Sequence, residues 1–189
     1  MARTAIFLAD GFEEIEALTV VDLLRRADIE IDMVSIMQGR RVMGSHDIPV
    51  ESDMLLADLS DEELDGYDML ILPGGGVGTK NLEECERLKE AVRRHDAAGG
   101  YICAICAAPG IFGRMGLLKG RRATCYPSCE EESWGAILCR QETVTDGHIL
   151  TSRGMGTAIP FGLAIVARFK GEEEAQRLAE RIVYNCSES

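Results

Sequence analysis

The sequence predicts an α/β fold: a doubly wound, mostly parallel sheet with helices on both faces. Strand-like and helix-like patterns alternate from end to end. The run Asp68-Met69-Leu70-Ile71-Leu72 is almost continuously apolar, as central parallel strands are when both faces are covered. Three places, Asp10-Gly11, Pro73-Gly74-Gly75 and Cys106, fall at the carboxyl ends of strand-like runs, where sites lie in such sheets.

Residues 3–9 read as a strand, and 13–27 as a helix with apolar Ile15, Leu18 and Val21 near helical spacing. Asp10 followed by Glu13 resembles a capping box at its start. Residues 30–37 alternate as a second strand, and 40–55 suggest a small antiparallel excursion turning near Gly44-Ser45-His46-Asp47. After the 68–72 strand, 79–98 read as one charged helix stopped by Gly99-Gly100. A strand then runs into Cys106, and a helix follows to about Gly116. Further on come a short strand near Arg122–Cys125, an acidic stretch at Glu130–Ser133 and strand pairs near 136–145 and 148–152. Helices at 157–169 and 172–185 close the chain.

At 189 residues, one domain spanning 1–189 is expected. Hydrophobic residues at 46% and charged residues at 28% give a globular composition. A formal net charge of −12 argues against nucleic acid and acidic membrane surfaces as partners. No signal peptide or membrane span is visible, and the seven cysteines are odd in number, so reduced thiols in the cytoplasm are expected.

Cys106 is the focus of the chemistry. An apolar strand stops at this thiol, and Ala107-Ala108-Pro109-Gly110 open a helix, as serine does in the nucleophile elbow of hydrolases. Helix N-terminal N–H groups favour thiolate, so a lowered thiol pKa is expected. The same pattern also fits a buried, inert core cysteine. Pro73-Gly74-Gly75-Gly76-Val77-Gly78 lacks the lysine and spacing of a phosphate loop, and close approach of bare backbone to Cys106 is the better reading. Cys103 falls inside a strand, three residues before Cys106, so the two should not pair. Cys125 and Cys129 read as ordinary thiols or as resolving partners for an oxidised Cys106. No metal site is expected, because no Cys/His set has zinc-ligand spacing. His95, His148, Glu13 and Glu14 read as solvated.

Six pieces in order extend this reading. They are Gly11-Phe12-Glu13-Glu14-Ile15-Glu16, Asp22-Leu23-Leu24-Arg25-Arg26-Ala27, Leu72-Pro73-Gly74-Gly75, Asn81-Leu82, Ala104-Ile105-Cys106-Ala107-Ala108-Pro109 and Leu150-Thr151-Ser152-Arg153-Gly154-Met155-Gly156-Thr157. Together they resemble the ThiJ/PfpI superfamily, most closely its DJ-one branch. The resemblance implies a flavodoxin-like fold and a homodimer. It implies that Cys106 is the nucleophilic, oxidisable cysteine, with Glu16 as the acid hydrogen-bonded to its sulfur. Gly74, Gly75 and Ala107 would supply oxyanion-type backbone donors. Tyr126 stands where the branch often has a histidine, and could donate a hydrogen bond to substrate but is a poor proton shuttle. His46, Arg26 and Arg153 would lie at the site mouth or dimer interface. Ala107, where the protease-like branch has a histidine, argues against peptidase activity.

The implied function is cofactor-independent glyoxalase III or deglycase chemistry on small 2-oxoaldehydes or their adducts. The alternatives are an oxidative-stress sensor or redox-regulated chaperone working through oxidation of Cys106, and a partner-binding relative that has lost catalysis.

Overall fold

A computed structural model describes residues 2–184. The expected end of the last helix at 185 and Cys186 lie outside them. Arg3–Leu8 (β1) leads into Glu14–Arg26 (α1), Glu30–Ser35 (β2), the hairpin Arg41–Met43 (β3) with Pro49–Glu51 (β4), and Met54–Leu55 (β5). Asp61–Asp65 (α2), Met69–Leu72 (β6), Gly76–Glu84 (α3) and Glu86–Ala97 (α4) precede Tyr101–Ile105 (β7) and Pro109–Arg114 (α5). Arg122–Ala123 (β8), Ile137–Leu138 (β9), Thr143–Asp146 (β10), Ile149–Ser152 (β11), Ala158–Lys170 (α6) and Glu172–Arg181 (α7) complete the chain.

The central sheet has seven strands in the order β10-β11-β7-β6-β1-β2-β5. Every neighbouring pair is parallel except β10 with β11. This is the doubly wound, flavodoxin-like fold that the alternation predicts. Strand pleating divides the core in two. Ala5, Phe7, Leu70, Leu72, Ile102 and Ala104 face one layer with Leu82, Leu88, Val92 and Phe112 of α3–α5. Ile6, Leu8, Met69, Ile71, Cys103 and Ile105 face the other with α1, α6 and α7. α1 and α6 approach closely because Gly162 offers no side chain: a Cβ there would lie 2.6 Å from Leu23 Cδ1. Among the described residues, no helix is long and apolar enough to cross a membrane.

Several expectations are corrected. The 79–98 helix is two helices starting at Gly76, broken where Cys85 adopts an extended ψ of 92°. The capping box at α1 does not form; the N-cap is Glu13 without a side-chain bond, and Asp10 Oδ1 accepts from the Met43 N–H at 2.8 Å instead. Ile15 is not on the apolar face of α1; it is 51% exposed. The 136–145 segment divides: β9 pairs in parallel with β8 outside the main sheet, and β10 joins its edge. Sequence periodicity also misses α2 and the two-residue β5.

Candidate active site

At the carboxyl end of β7 the chain turns sharply through Cys106, whose φ of +64° is in the left-handed region. Such a conformation costs a non-glycine residue about 1–3 kcal/mol and persists only where neighbours enforce it. Here two backbone bonds do so. The Cys106 N–H donates to Ser152 O at 3.0 Å, and the Tyr126 N–H donates to Cys106 O at 2.8 Å. The thiol is half-buried rather than sealed in the core.

Glu16 comes from the first turn of α1 and is 1% exposed. Its inward direction, which spacing alone could not establish, follows from Ile15 turning outward while Glu16 and Ala17 turn in. Glu16 Oε2 accepts the Gly74 N–H at 2.9 Å, and the carboxyl is hydrogen-bonded to Cys106. The Pro73–Gly75 turn reaches both groups because it is bare. A Cβ on Gly74 would lie 2.4 Å from Glu16 Oε2 and 2.6 Å from Cys106 Cβ. Gly75 has φ +95°, and a Cβ there would lie 2.2 Å from Gly11 O. The N–H groups of Ala107 and Gly75 hydrogen-bond the Cys106 sulfur.

The charges are coupled. Burial pushes Glu16 up to about 7, against the lowering effect of its bonds to Cys106 and Gly74. Burial, then the charge and hydrogen bond of Glu16, pushes the Cys106 thiol up to about 12. The expectation of a lowered thiol pKa is thereby corrected: beside an ionised Glu16, desolvation and like charge outweigh the helix N-terminus. Burial and mutual repulsion thus both oppose a second negative charge on the pair.

Tyr126 is 48% exposed, beside the corner. Gly154, which sequence reasoning treated only as part of a motif, belongs to the site. A Cβ there would lie 3.3 Å from Tyr126 Cδ2, 3.8 Å from Cys106 Sγ and 3.9 Å from Glu16 Oε1. Arg153 is adjacent, reaching Thr124 Oγ1 at 3.4 Å and Glu130 at 4.0 Å. Arg26 pairs on its own helix with Asp22 at 2.5 Å, and none of its bonds reaches the site. His46 bonds Glu14 and Ser45, not Cys106.

Other expectations change. Glu14 is not solvated; it is 4% exposed. Burial opposes its ionisation, but the side-chain and backbone bonds from His46 hold it down to about 2. His95 is buried with Nε2 unpartnered, and burial pushes its pKa down. His148 Nε2 lies 2.7 Å from Asp96 Oδ1. The six described cysteines are free, with Cys103 and Cys125 buried. A cavity of about 590 Å³ lies at the other end of the sheet, lined by Met69, Tyr101, His148 and Arg168 among others, and includes none of the residues around Cys106.

Residues 2–168 match the family model described as DJ-1/PfpI. The chain belongs to the DJ-1/PfpI family. Protein dj-1beta of Drosophila melanogaster is 33% identical over 186 residues, covering 97% of this chain and 98% of that protein. The Schizosaccharomyces pombe protein named glutathione-independent glyoxalase DJ-1 is 28% identical, covering 92% and 94%. The chain spans only 41% of the length of Arabidopsis thaliana DJ-1 homolog B, to which it is 35% identical over 96% of itself. Among solved structures, oxidized Toxoplasma gondii DJ-1 superimposes with a TM-score of 0.91 at 28% identity, covering 98% of this chain and all (100%) of that one.

Proposed function

We propose that this DJ-1/PfpI family member is a cofactor-independent enzyme that converts small 2-oxoaldehydes to 2-hydroxy acids, or releases them from adducts, using Cys106 and Glu16. One observation carries the reading: a left-handed cysteine is held against a buried carboxyl to which it is hydrogen-bonded. The productive arrangement places the proton of that bond on Glu16 and the charge on sulfur, where the Ala107 and Gly75 N–H groups stabilise it.

In this mechanism the thiolate attacks the aldehyde carbon and an S–C bond forms. Glu16 gives its proton to the aldehyde oxygen, producing a hemithioacetal. The Glu16 carboxylate then takes the proton from that carbon, giving an enediolate, and returns it to the neighbouring carbon, while the hemithioacetal hydroxyl proton passes to the neighbouring oxygen, leaving a 2-hydroxyacyl thioester. Water adds to the thioester and the S–C bond breaks, releasing the 2-hydroxy acid and restoring thiolate and acid. The sum is substrate plus one water, with no external oxidant or reductant. Gly74 and Gly75 keep room for backbone donors at the reacting oxygen, and Tyr126 adds a hydroxyl at the mouth. The name of the S. pombe relative supports the same chemistry.

The alternative reading is an oxidative-stress sensor, in which peroxide adds oxygen atoms to Cys106 and leaves as water. It draws on the half-exposed thiol and on the oxidized state of the T. gondii structure. We place the enzyme in the cytoplasm as a homodimer, the state that its likeness to the DJ-1/PfpI family implies.

The deciding experiment measures methylglyoxal loss and lactate formation without glutathione, for wild type and Cys106→Ser. Turnover in the wild type that disappears in the variant supports the enzyme. No turnover in either overturns it, and a two-oxygen mass gain at Cys106 under mild peroxide then supports the sensor.

A further inference from the structure

Away from the thiol, the N-terminus of α1 meets the turn of the β3–β4 hairpin. Four polar atoms converge there. Ser45 Oγ lies 3.0 Å from Glu13 Oε2, 3.1 Å from Glu14 Oε2 and 3.0 Å from His46 Nδ1. His46 Nδ1 lies 3.0 Å from Glu14 Oε2 and 3.6 Å from Glu13 Oε2. One ligand atom from each of Glu13, Glu14 and His46 is within 4.8 Å of the other two. A tetrahedron of edge about 3.3 Å has its centre about 2.0 Å from each corner, the length of a Zn–N or Zn–O bond.

We propose that Glu13, Glu14 and His46 bind a divalent transition-metal cation of the zinc class, with the Ser45 hydroxyl or a water at the fourth corner. The expectation of no metal site considered only Cys/His spacing; these ligands are brought together from two segments more than thirty residues apart.

A cation would take the place of the proton between His46 Nδ1 and Glu14 Oε2, which lie 3.0 Å apart. The surroundings also pre-orient the ligands. The His46 N–H donates to Glu14 Oε1 at 2.7 Å, which leaves Oε2 facing the cluster. The Ser45 N–H is fixed on Phe12 O at 2.8 Å. Bare backbone at Gly44 closes over Glu14, since a Cβ there would lie 2.2 Å from Oε1. The Glu14 and Glu13 side chains are 5% and 14% exposed and the His46 side chain 69%, so the carboxylates are held while the imidazole leaves a path from solvent. Mixed imidazole and carboxylate donors suit zinc better than calcium or magnesium, which take oxygen ligands.

The test is titration of the chelator-treated full chain with zinc chloride by calorimetry, and with cobalt chloride by absorbance. Wild type, Cys106→Ser, His46→Ala and Glu13→Gln are compared, with circular dichroism to establish folding. The expected result is one zinc per chain in wild type and in Cys106→Ser, and affinity at least tenfold weaker in His46→Ala and Glu13→Gln. Cobalt should give visible bands without a thiolate charge-transfer band in the near ultraviolet. No binding at millimolar zinc, binding unchanged in folded His46→Ala, or binding lost in Cys106→Ser would each overturn the assignment.

Discussion

Replacing Gly74 with alanine tests whether the bare turn sets the geometry of the pair. The new Cβ would lie 2.4 Å from Glu16 Oε2, 2.6 Å from Cys106 Cβ and 3.2 Å from Sγ. Ordinary carbon contacts are about 3.5–4.0 Å, so the alanine or its neighbours must shift by about 1 Å. Neither neighbour yields easily. Cys106 is fastened by backbone bonds on both sides, and Glu16 is packed at 1% exposure. Overpacking of this kind costs about 1–3 kcal/mol of stability. A misplacement of about 1 Å in a reacting constellation can lower turnover about 100-fold. Gly76→Ala is the control, since a Cβ there meets nothing within 4 Å. The assay combines thermal melting with methylglyoxal turnover and the rate of Cys106 alkylation by iodoacetamide. Gly74→Ala should melt lower, turn over about 100-fold slower and alkylate at a changed rate, while Gly76→Ala matches wild type. Wild-type melting and turnover in Gly74→Ala would refute the argument that this turn positions the pair.

The alkylation rate of wild-type Cys106 should rise with pH through an inflection near 7, where Glu16 ionises. In Glu16→Gln that inflection should give way to a single one between the ordinary thiol value of about 8.5 and the wild-type thiol value of about 12. Persistence of the step near 7 would place the titrating group elsewhere. Glu16 also opposes folding: its folded pKa of about 7 exceeds the unfolded value of about 4.5, so stability is highest below 4.5 and falls as pH rises to 7. Chemical denaturation should therefore find Glu16→Gln more stable than wild type at pH 8, by up to about 3 kcal/mol from that shift, with a smaller gain at pH 4.5. Gly154→Ala should fold normally, because its backbone is extended at φ 163°, yet its methyl group 3.8 Å from Sγ should raise KM more than it lowers kcat. Equal effects on both constants, or none, would count against Gly154 lining the mouth.

The parallel core of the fold was legible because β6 and β7 are apolar on both faces and end at Pro73 and Cys106. The small elements were not. β5 has two residues and no period to read, and α2 has five. The break at Cys85 is invisible to helical spacing because both flanking segments, with Leu82 and Leu88 buried, are amphipathic on their own. Around Cys106, the elbow and the bare glycine turn were readable from residue type. The direction of Glu16 was not, since three glutamates occur within four positions and only tertiary contacts separate buried Glu14 and Glu16 from Glu13. The rise in the Cys106 pKa was missed for the same reason: a local motif shows the helix N-terminus but not the carboxylate arriving from another helix.

The two backbone bonds at Cys106 make the corner an anvil rather than a spring. With its N–H fastened to β11 and its carbonyl to Tyr126, the main chain cannot exchange its left-handed turn for a relaxed one when the sulfur acquires a substituent. An adduct on the thiol must be accommodated by Glu16, Tyr126 and the open space above Gly154, while the sheet and α5 stay in place. Chemical history at this residue would then be written on the rim of the site and erased when the substituent leaves.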